Sequence, residues 1–293
     1  MLRTRVITAI ILLLVLLPAV FWLPEPGWVV FTLAIALVAL WEWTRIAPLT
    51  GAAGAVFLGL SAVAAAVFGY AFIAHPYSPT LTPAYWLAQT GFTLSALFWF
   101  LVAPWWIRSH WRIANPWLLG LVGWIVVFPT AFALIVHRQT GPWFLIALMA
   151  IVWVADIAAY FAGKRFGRHK LAPAVSPGKT WEGVAGALLG VSLYAAGCVM
   201  LIGHLQNGSV GAALPMLPGF VLLFVVLAAL AIVGDLFESW MKRGVGVKDS
   251  SNLLPGHGGV LDRIDALTST LAVAPLLAYP MHDLLRMLET ASR

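Results

Sequence analysis

Long apolar runs fill this chain, and short polar breaks separate them. A helix crossing the hydrocarbon layer needs about 20 predominantly apolar residues. Nine runs meet that length: Val6–Leu23, Trp28–Ile46, Ala53–Ala74, Tyr85–Trp105, Trp117–Val136, Trp143–Ala162, Gly183–Gly203, Leu217–Val233 and Leu261–Tyr279. Gln89 and Thr90 interrupt the fourth. Arg3 and Arg5 precede the first, as they would in a secretory signal. That run is long, however, and no small-x-small cleavage site precedes Pro24, so it reads as an anchor. The pattern predicts an all-α polytopic membrane protein of about nine transmembrane helices. Trp28, Trp86, Trp105, Trp106, Trp117 and Trp143 lie near run ends, where indole rings anchor at the interface.

Composition agrees. The 293 residues are 62% hydrophobic, against about 45–50% apolar in a soluble domain, and mean hydropathy is +0.94. With the N-terminus in the cytoplasm and the spans alternating, inside segments hold Arg3, Arg5, Arg45, Arg108, Arg112, Lys164, Arg165, Arg168, Lys170, Lys179, Lys242, Arg243, Lys248 and Arg263. Outside segments hold only Arg138, Arg286 and Arg293. This division accounts for all 17 basic residues and follows the positive-inside rule, which places the C-terminus outside. The net charge of +6 is then a topology signal and not a nucleic-acid footprint. The single cysteine, Cys198, excludes an intrachain disulfide and reads as helix packing.

Of eleven acidic residues, nine lie after position 150. Residues 1–140 therefore read as scaffold and residues 141–293 as the catalytic region. Glu42 is the one carboxylate embedded in a span of the first part. It is either an ion pair with Arg45 or part of a site.

The densest chemistry is SWMKRGVGVKDSSNLLPGHGGVLDRID, from Ser239 to Asp265. Lys242, Arg243, Lys248, Asp249, Asp262, Arg263 and Asp265 are charged in a chain that is only 10% charged. Charge beside a bilayer is expensive. Carboxylates suit Mg²⁺, lysine and arginine suit phosphate, and glycines let backbone N–H groups approach an anion. The stretch reads as a polyphosphate-and-metal site at a membrane surface. Asp235 and Glu238 end the preceding span at i,i+3, with Ser239 on the same face, and Asp262 and Asp265 repeat that spacing. Asp156 lies inside the sixth span with Tyr160 one turn on, and an intramembrane carboxylate is a functional hypothesis by default. Lys164, Arg165, Arg168, His169 and Lys170 follow, either as a plain cytoplasmic loop or as an attractor of anions. In Ser176-Pro-Gly-Lys-Thr-Trp-Glu-Gly183, Gly178-Lys179-Thr180 hints at a P-loop. That signature needs glycine where Pro173 stands, and a preceding strand, so it is rejected. Pro177 and Gly178 instead predict a turn, with Ser176, Lys179 and Thr180 near a helix N-terminus that favours anions. Gly186 and Gly190 form a GxxxG packing face.

These residues resemble the signature of phosphatidate cytidylyltransferases. Ser239, Lys242-Arg243, Lys248-Asp249, Ser251, Leu254-Pro255, His257-Gly258-Gly259, Asp262-Arg263 and Asp265 fit it in spacing throughout. The Asp156–Tyr160 span and SPGKTWEG are similar as well, and the likeness covers roughly 143–279. It implies the reaction of CTP with phosphatidic acid to give CDP-diacylglycerol and pyrophosphate, by an integral enzyme of a bacterial inner membrane with its site facing the cytoplasm. A homodimer is expected. On this reading Asp235, Asp262 and Asp265, seconded by Asp249 and Asp156, hold Mg²⁺, with room for a second cation. Lys179, Lys242, Arg243, Lys248 and Arg263 bind phosphates. His257, Gly258 and Gly259 cradle pyrophosphate. A CTP-dependent lipid or polyprenol kinase is the alternative enzyme. An ion-coupled transporter fits less well, because its acids belong at mid-membrane.

Overall fold

In the computed structural model, residues 2–75, 82–207 and 210–278 are described. The helices are α1 (Leu2–Trp22), α2 (Glu25–Ile46), α3 (Gly51–Ala74), α4 (Pro83–Leu97), α5 (Ala103–Ser109), α6 (Pro116–Thr140), α7 (Pro142–Phe166), α8 (Trp181–Asn207), α9 (Val210–Ala213), α10 (Leu217–Gly244) and α11 (Leu261–Thr270). Helix is the form that satisfies every backbone group within one segment, as an apolar solvent demands. Among the described residues, eight helices are long and apolar enough to cross a membrane. α4 and α5 count as one of them, joined by a π turn over Phe98–Val102. Pro104 has no N–H to donate, and the Ala103 N–H reaches back to the Phe98 carbonyl, so the wider turn carries the helix past the proline.

The ninth predicted span falls on α11 and the residues after it. α11 is ten residues long and ends in a turn before a short helical stretch at 274–278. Tyr279, and with it Asp283, Arg286 and Arg293, lies outside the described residues. α11 is buried in the bundle, and its polar C-terminal half finds partners there. The Ser269 hydroxyl donates to the Leu230 carbonyl (2.8 Å) and the Thr270 hydroxyl to the Leu227 carbonyl (3.3 Å), both on α10. A side chain at Gly234 of α10 would collide with Ser269, so that glycine sets how closely α11 lies. The GxxxG face serves α7 in the same way. A Cβ at Gly190 would sit 2.6 Å from that of Ala158, and one at Gly186 would strike Ala162.

Two expectations are corrected. Trp28 and Trp106 are not interfacial anchors. Both rings are buried, and their indole N–H groups donate to the carbonyls of Leu134 (3.1 Å) and Trp111 (2.7 Å). A polar N–H at the edge of a ring suits the core once a carbonyl faces it. Trp86, Trp105, Trp117 and Trp143 are exposed, as expected. The turn before α8 is also more regular than expected. Residues Lys170–Ala172 (β1) and Ser176–Thr180 (β2) pair antiparallel as a small ribbon. Lys179 and Thr180 lie within the second strand, not in a loop after it, which again excludes a P-loop.

Cross-bundle contacts sort the helix ends into two sets. At one end the Thr8 hydroxyl donates to the Pro255 carbonyl, the His110 ring packs edge-on against Trp240, and Lys179 meets Asp235. At the other, Arg138 donates to the Val20 and Leu23 carbonyls and Gln139 meets Glu25. Reporter fusions after Arg112, Lys170 and Arg243 should therefore all report one compartment, and a fusion after Thr140 the opposite one. A split among the first three would break this arrangement.

Candidate active site

The polar end is organised by two buried carboxylates that meet across the chain. On α10, Asp235, Glu238, Ser239 and Lys242 follow helical spacing and share a face. The buried Lys242 ammonium bridges Glu238 Oε2 (3.1 Å) and Asp262 Oδ1 on the first turn of α11. The other oxygen of Asp262 accepts from the backbone N–H of Ser250 (2.8 Å), its hydroxyl (2.9 Å) and the Gly259 N–H (2.7 Å).

Glu42 of α2 lies beside it with no exposed surface. Its carboxylate accepts from the Ser251 hydroxyl (2.6 Å), the Ser250 hydroxyl (3.1 Å), and the N–H groups of Val260 (2.9 Å) and Leu261 (2.7 Å). Those two N–H groups open α11, where a helix has unsatisfied donors and favours negative charge. Glu42 therefore joins the residues of 250–261 and does not pair with Arg45 among the described residues. Arg45 stacks over Trp41 instead, 4.3 Å from the ring. The two carboxylates also explain the glycine pair. Gly258 has φ +84°, and a Cβ there would lie 2.5 Å from Asp262 Oδ2. A Cβ on Gly259 would strike Ser250 Oγ and Glu42 Oε1.

A cavity of about 410 Å³ opens between α7, α8, α10 and the ribbon. Asp156, Tyr160, Ser176 and Lys179 line its polar side, and Ala155, Val184 and Ile232 its apolar side. Lys179 Nζ pairs with Asp235 Oδ2 at 2.7 Å. The charged neighbours of Asp156 are Asp235, Lys179 and Arg263, and those of the half-buried Asp265 are Asp235 and Lys242. With Glu238 and Asp262, five carboxylates and three cations gather in this region. Among the described residues no three carboxylate, thiolate or imidazole groups come together closely enough to hold a metal ion. One buried oxygen, Glu238 Oε1, accepts no hydrogen bond from a donor group.

A second cavity, of about 690 Å³, is lined by Lys248, Asp249, His257, Gly258 and Arg263, with Thr4 and Arg5 of α1. His257 Nδ1 is buried and without a partner. Of the predicted residues, Asp156, Ser176, Lys179 and Thr180 line the first cavity and Lys248, Asp249, His257, Gly258 and Arg263 the second, whereas Asp235, Ser239, Lys242, Arg243, Gly259, Asp262 and Asp265 line neither. Three have hydrogen bonds of their own. Arg243 donates to the Val247 carbonyl (2.8 Å) and lines neither cavity. The Thr180 hydroxyl accepts from the Gly183 N–H (3.1 Å) at the start of α8. Ser239 donates to Asp235 (3.3 Å). Of the basic loop, His169 is held by Glu182 at 2.7 Å, closing the base of the ribbon. Sequence reasoning left out Glu238 and Ser250 and left Glu42 open. A carboxylate embedded in a span was itself the signal for Glu42.

Glu42→Gln tests this arrangement. Val260 donates to one carboxylate oxygen and Leu261 to the other, so in either orientation the new NH₂ group faces a backbone N–H that cannot turn away. With a buried hydrogen bond to a charged group contributing about 1.5–3 kcal/mol, thermal unfolding in detergent should shift down clearly. Arg45→Gln should leave it unchanged. Equal stability of wild type and Glu42→Gln would show that the clamp carries no weight.

Sequence comparison places this geometry in context. A profile described as the Cytidylyltransferase family matches residues 3–281. A protein of Pseudomonas aeruginosa named phosphatidate cytidylyltransferase is 38% identical over 286 residues, covering 95% of this chain and 97% of the relative. A protein of the same name from Haemophilus influenzae is 36% identical over 297 residues, covering 95% and 98%. Another from Thermotoga maritima is 40% identical over 151 residues, about half of each chain. With matches of this extent, the chain belongs to the cytidylyltransferase family.

Proposed function

We propose that this enzyme transfers the cytidylyl group of CTP to phosphatidic acid, giving CDP-diacylglycerol and pyrophosphate. The observation that carries the reading is a cavity lined by Arg5, Lys248 and Arg263 together with a partly apolar one that holds Asp156 and Lys179. The names of the relatives supply the substrates. An oxygen of the lipid phosphate bonds to the α-phosphorus of CTP. The bond from that phosphorus to the oxygen bridging to the β-phosphorus breaks, and pyrophosphate leaves with the electron pair. Such transfer is mostly positioning and charge neutralisation. The lipid phosphate enters the cavity beside Asp156 and Lys179, with its acyl chains toward the apolar walls, and the nucleotide phosphates occupy the cavity beside Lys248, His257 and Arg263. The site faces the cytoplasm of a bacterial inner membrane, where CTP is available.

The reading includes a divalent cation, because carboxylates gathered near one another repel and a metal offsets that repulsion. Asp235 and Asp265 would hold Mg²⁺, with Asp156 as a neighbour of Asp235 and Asp249 in the second cavity. Asp262, engaged by four donors, supports them by fixing Lys242 and the loop. When bound, Mg²⁺ neutralises phosphate charge and stabilises the leaving oxygen. Lys242 joins Glu238 to Asp262, and Lys179, paired with Asp235 in the wall of the first cavity, would exchange that partner for an arriving phosphate.

CTP labelled at the α-phosphate should yield labelled lipid with phosphatidic acid, and CTP labelled at the γ-phosphate should not. Label from the γ position would mean a kinase. Turnover should cease in EDTA and return with Mg²⁺. Asp235→Asn and Asp265→Asn should each lower kcat by about 10²-fold or more. Full wild-type turnover in EDTA would remove the metal from the scheme.

Lys248→Gln should raise KM for CTP or lower kcat. Lys170→Gln, on the exposed first strand, should do much less, since a solvated lysine acts at long range and is screened by salt. Equal effects at both positions, abolished alike by salt, would reduce Lys248 to a topology signal.

A further inference from the structure

The first helix approaches the site more closely than an anchor requires. The Thr8 hydroxyl, on a nearly buried side chain, donates to the Pro255 carbonyl at 2.9 Å, pinning α1 to the turn that precedes His257. Thr4 and Arg5 lie one turn earlier on the same face. The turn accommodates them through Gly256, at φ +76°, whose hypothetical Cβ would lie 3.2 Å from Arg5 Cγ. The side-chain stem of Arg5 thus runs against the backbone of Gly256, and Arg5 joins the wall of the 690 Å³ cavity.

Three cations line that cavity: Arg5, Lys248 and Arg263. One carboxylate, Asp249, accompanies them. None of the three takes part in a salt bridge among the described residues. His257 adds a buried ring nitrogen with no partner. Three cations around one concave space repel one another until an anion enters. Arg263 also neighbours Asp156, but the lining of this cavity is still mainly cationic and suits a phosphate chain. Arginine suits such a role, because its planar fork meets two phosphate oxygens at once.

We infer that Arg5 is a nucleotide-binding residue, reaching from α1 to grip the phosphoanhydride chain of CTP alongside Lys248 and Arg263. The inference rests on the proposed reaction for the identity of the nucleotide, but the anion site stands on its own geometry. α1 is then part of the site, and the signature at 239–265 is incomplete without it.

Arg5→Gln, Arg5→Lys and Arg3→Gln in detergent-purified protein separate this from topology. Arg3 lies outside the cavity lining but carries the same topogenic charge. Arg5→Gln should raise KM for CTP about tenfold or more, as the loss of a charge-assisted hydrogen bond implies. KM for phosphatidic acid should hold. Arg5→Lys should recover part of the loss, and Arg3→Gln should match wild type. An unchanged KM for CTP in Arg5→Gln would overturn the inference. A rise confined to KM for phosphatidic acid would do so too, by giving Arg5 to the lipid head group. Inorganic pyrophosphate gives a readout independent of turnover. It should protect wild type and Arg3→Gln against thermal unfolding, with about tenfold more needed for Arg5→Gln. Protection of wild type without lipid labelling would defeat the proposed reaction and leave the anion site. Equal protection of wild type and Arg5→Gln would defeat the site and leave the reaction. Arg5→Lys, which keeps the stem against Gly256, reports on the same point if Arg5→Gln does not fold.

Discussion

A carboxylate with no exposed surface, and with no salt-bridge partner among the described residues, organises this structure. Burying an ionised group costs many kcal/mol unless hydrogen bonds replace its hydration. Glu42 meets that demand with the Ser251 hydroxyl and two backbone N–H groups, and with the Ser250 hydroxyl, whose one proton it shares with Asp262, all from residues 250–261. The demand runs both ways. The loop can satisfy Glu42 only in one conformation, so the charge selects that conformation. Gly259 follows, because any side chain there would occupy the space of the carboxylate. The direction of α11 follows as well, since its first N–H groups point at α2. Asp262 then falls beside Ser250 and within reach of Lys242. A helix of the apparently inert first half therefore sets the geometry of the second.

From Lys242 the organisation continues as alternating charge. Lys242 joins Glu238 to Asp262, and Lys179 joins the ribbon to Asp235. A buried ion pair is weak evidence for stability, because desolvation offsets much of the Coulomb attraction. Its value here is registration. Lys179 sits on a two-stranded ribbon that is itself largely exposed, and Asp235 on α10 gives that ribbon a fixed point. The same property makes the pairs exchangeable. A lysine held by one carboxylate can turn to a phosphate once another cation takes its place, and neither group has to cross an apolar barrier.

Much of the architecture was legible in the chain because it depends on local pattern. Apolar runs of about 20 residues give spans whatever they pack against, and Gly186 and Gly190 repeat at the spacing that packs helices closely. The carboxylates at i,i+3 on α10 and α11 were legible for the same reason. Glu42 was visible as an anomaly but its partners were not, since the donors lie more than 200 residues away and two of them are backbone groups without sequence identity. Trp28 and Trp106 misled because an indole at a span end serves either an interface or a buried carbonyl, and only the tertiary neighbour decides. Arg243 was grouped with the phosphate ligands on the resemblance, and its bond to the Val247 carbonyl was not visible in the sequence because it is set by loop geometry.

Arg263 links the two cavities electrostatically. Arg263 lines the cation-rich cavity and is also a charged neighbour of Asp156 in the other. It is the next residue after Asp262, whose carboxylate is fixed on four sides, so its backbone position inherits that rigidity. Lys179 stands across the first cavity, paired with Asp235. In the proposed reaction a lipid phosphate near Asp156 and a nucleotide phosphate near Lys248 would both approach Arg263, which neighbours Asp156 and lines the second cavity. Two anions brought to one boundary repel unless positive charge lies between them. Because Asp262 is held by the loop, and the loop by Glu42, a displacement in α2 would be felt as a misplaced Arg263 at the boundary and not only as lost stability.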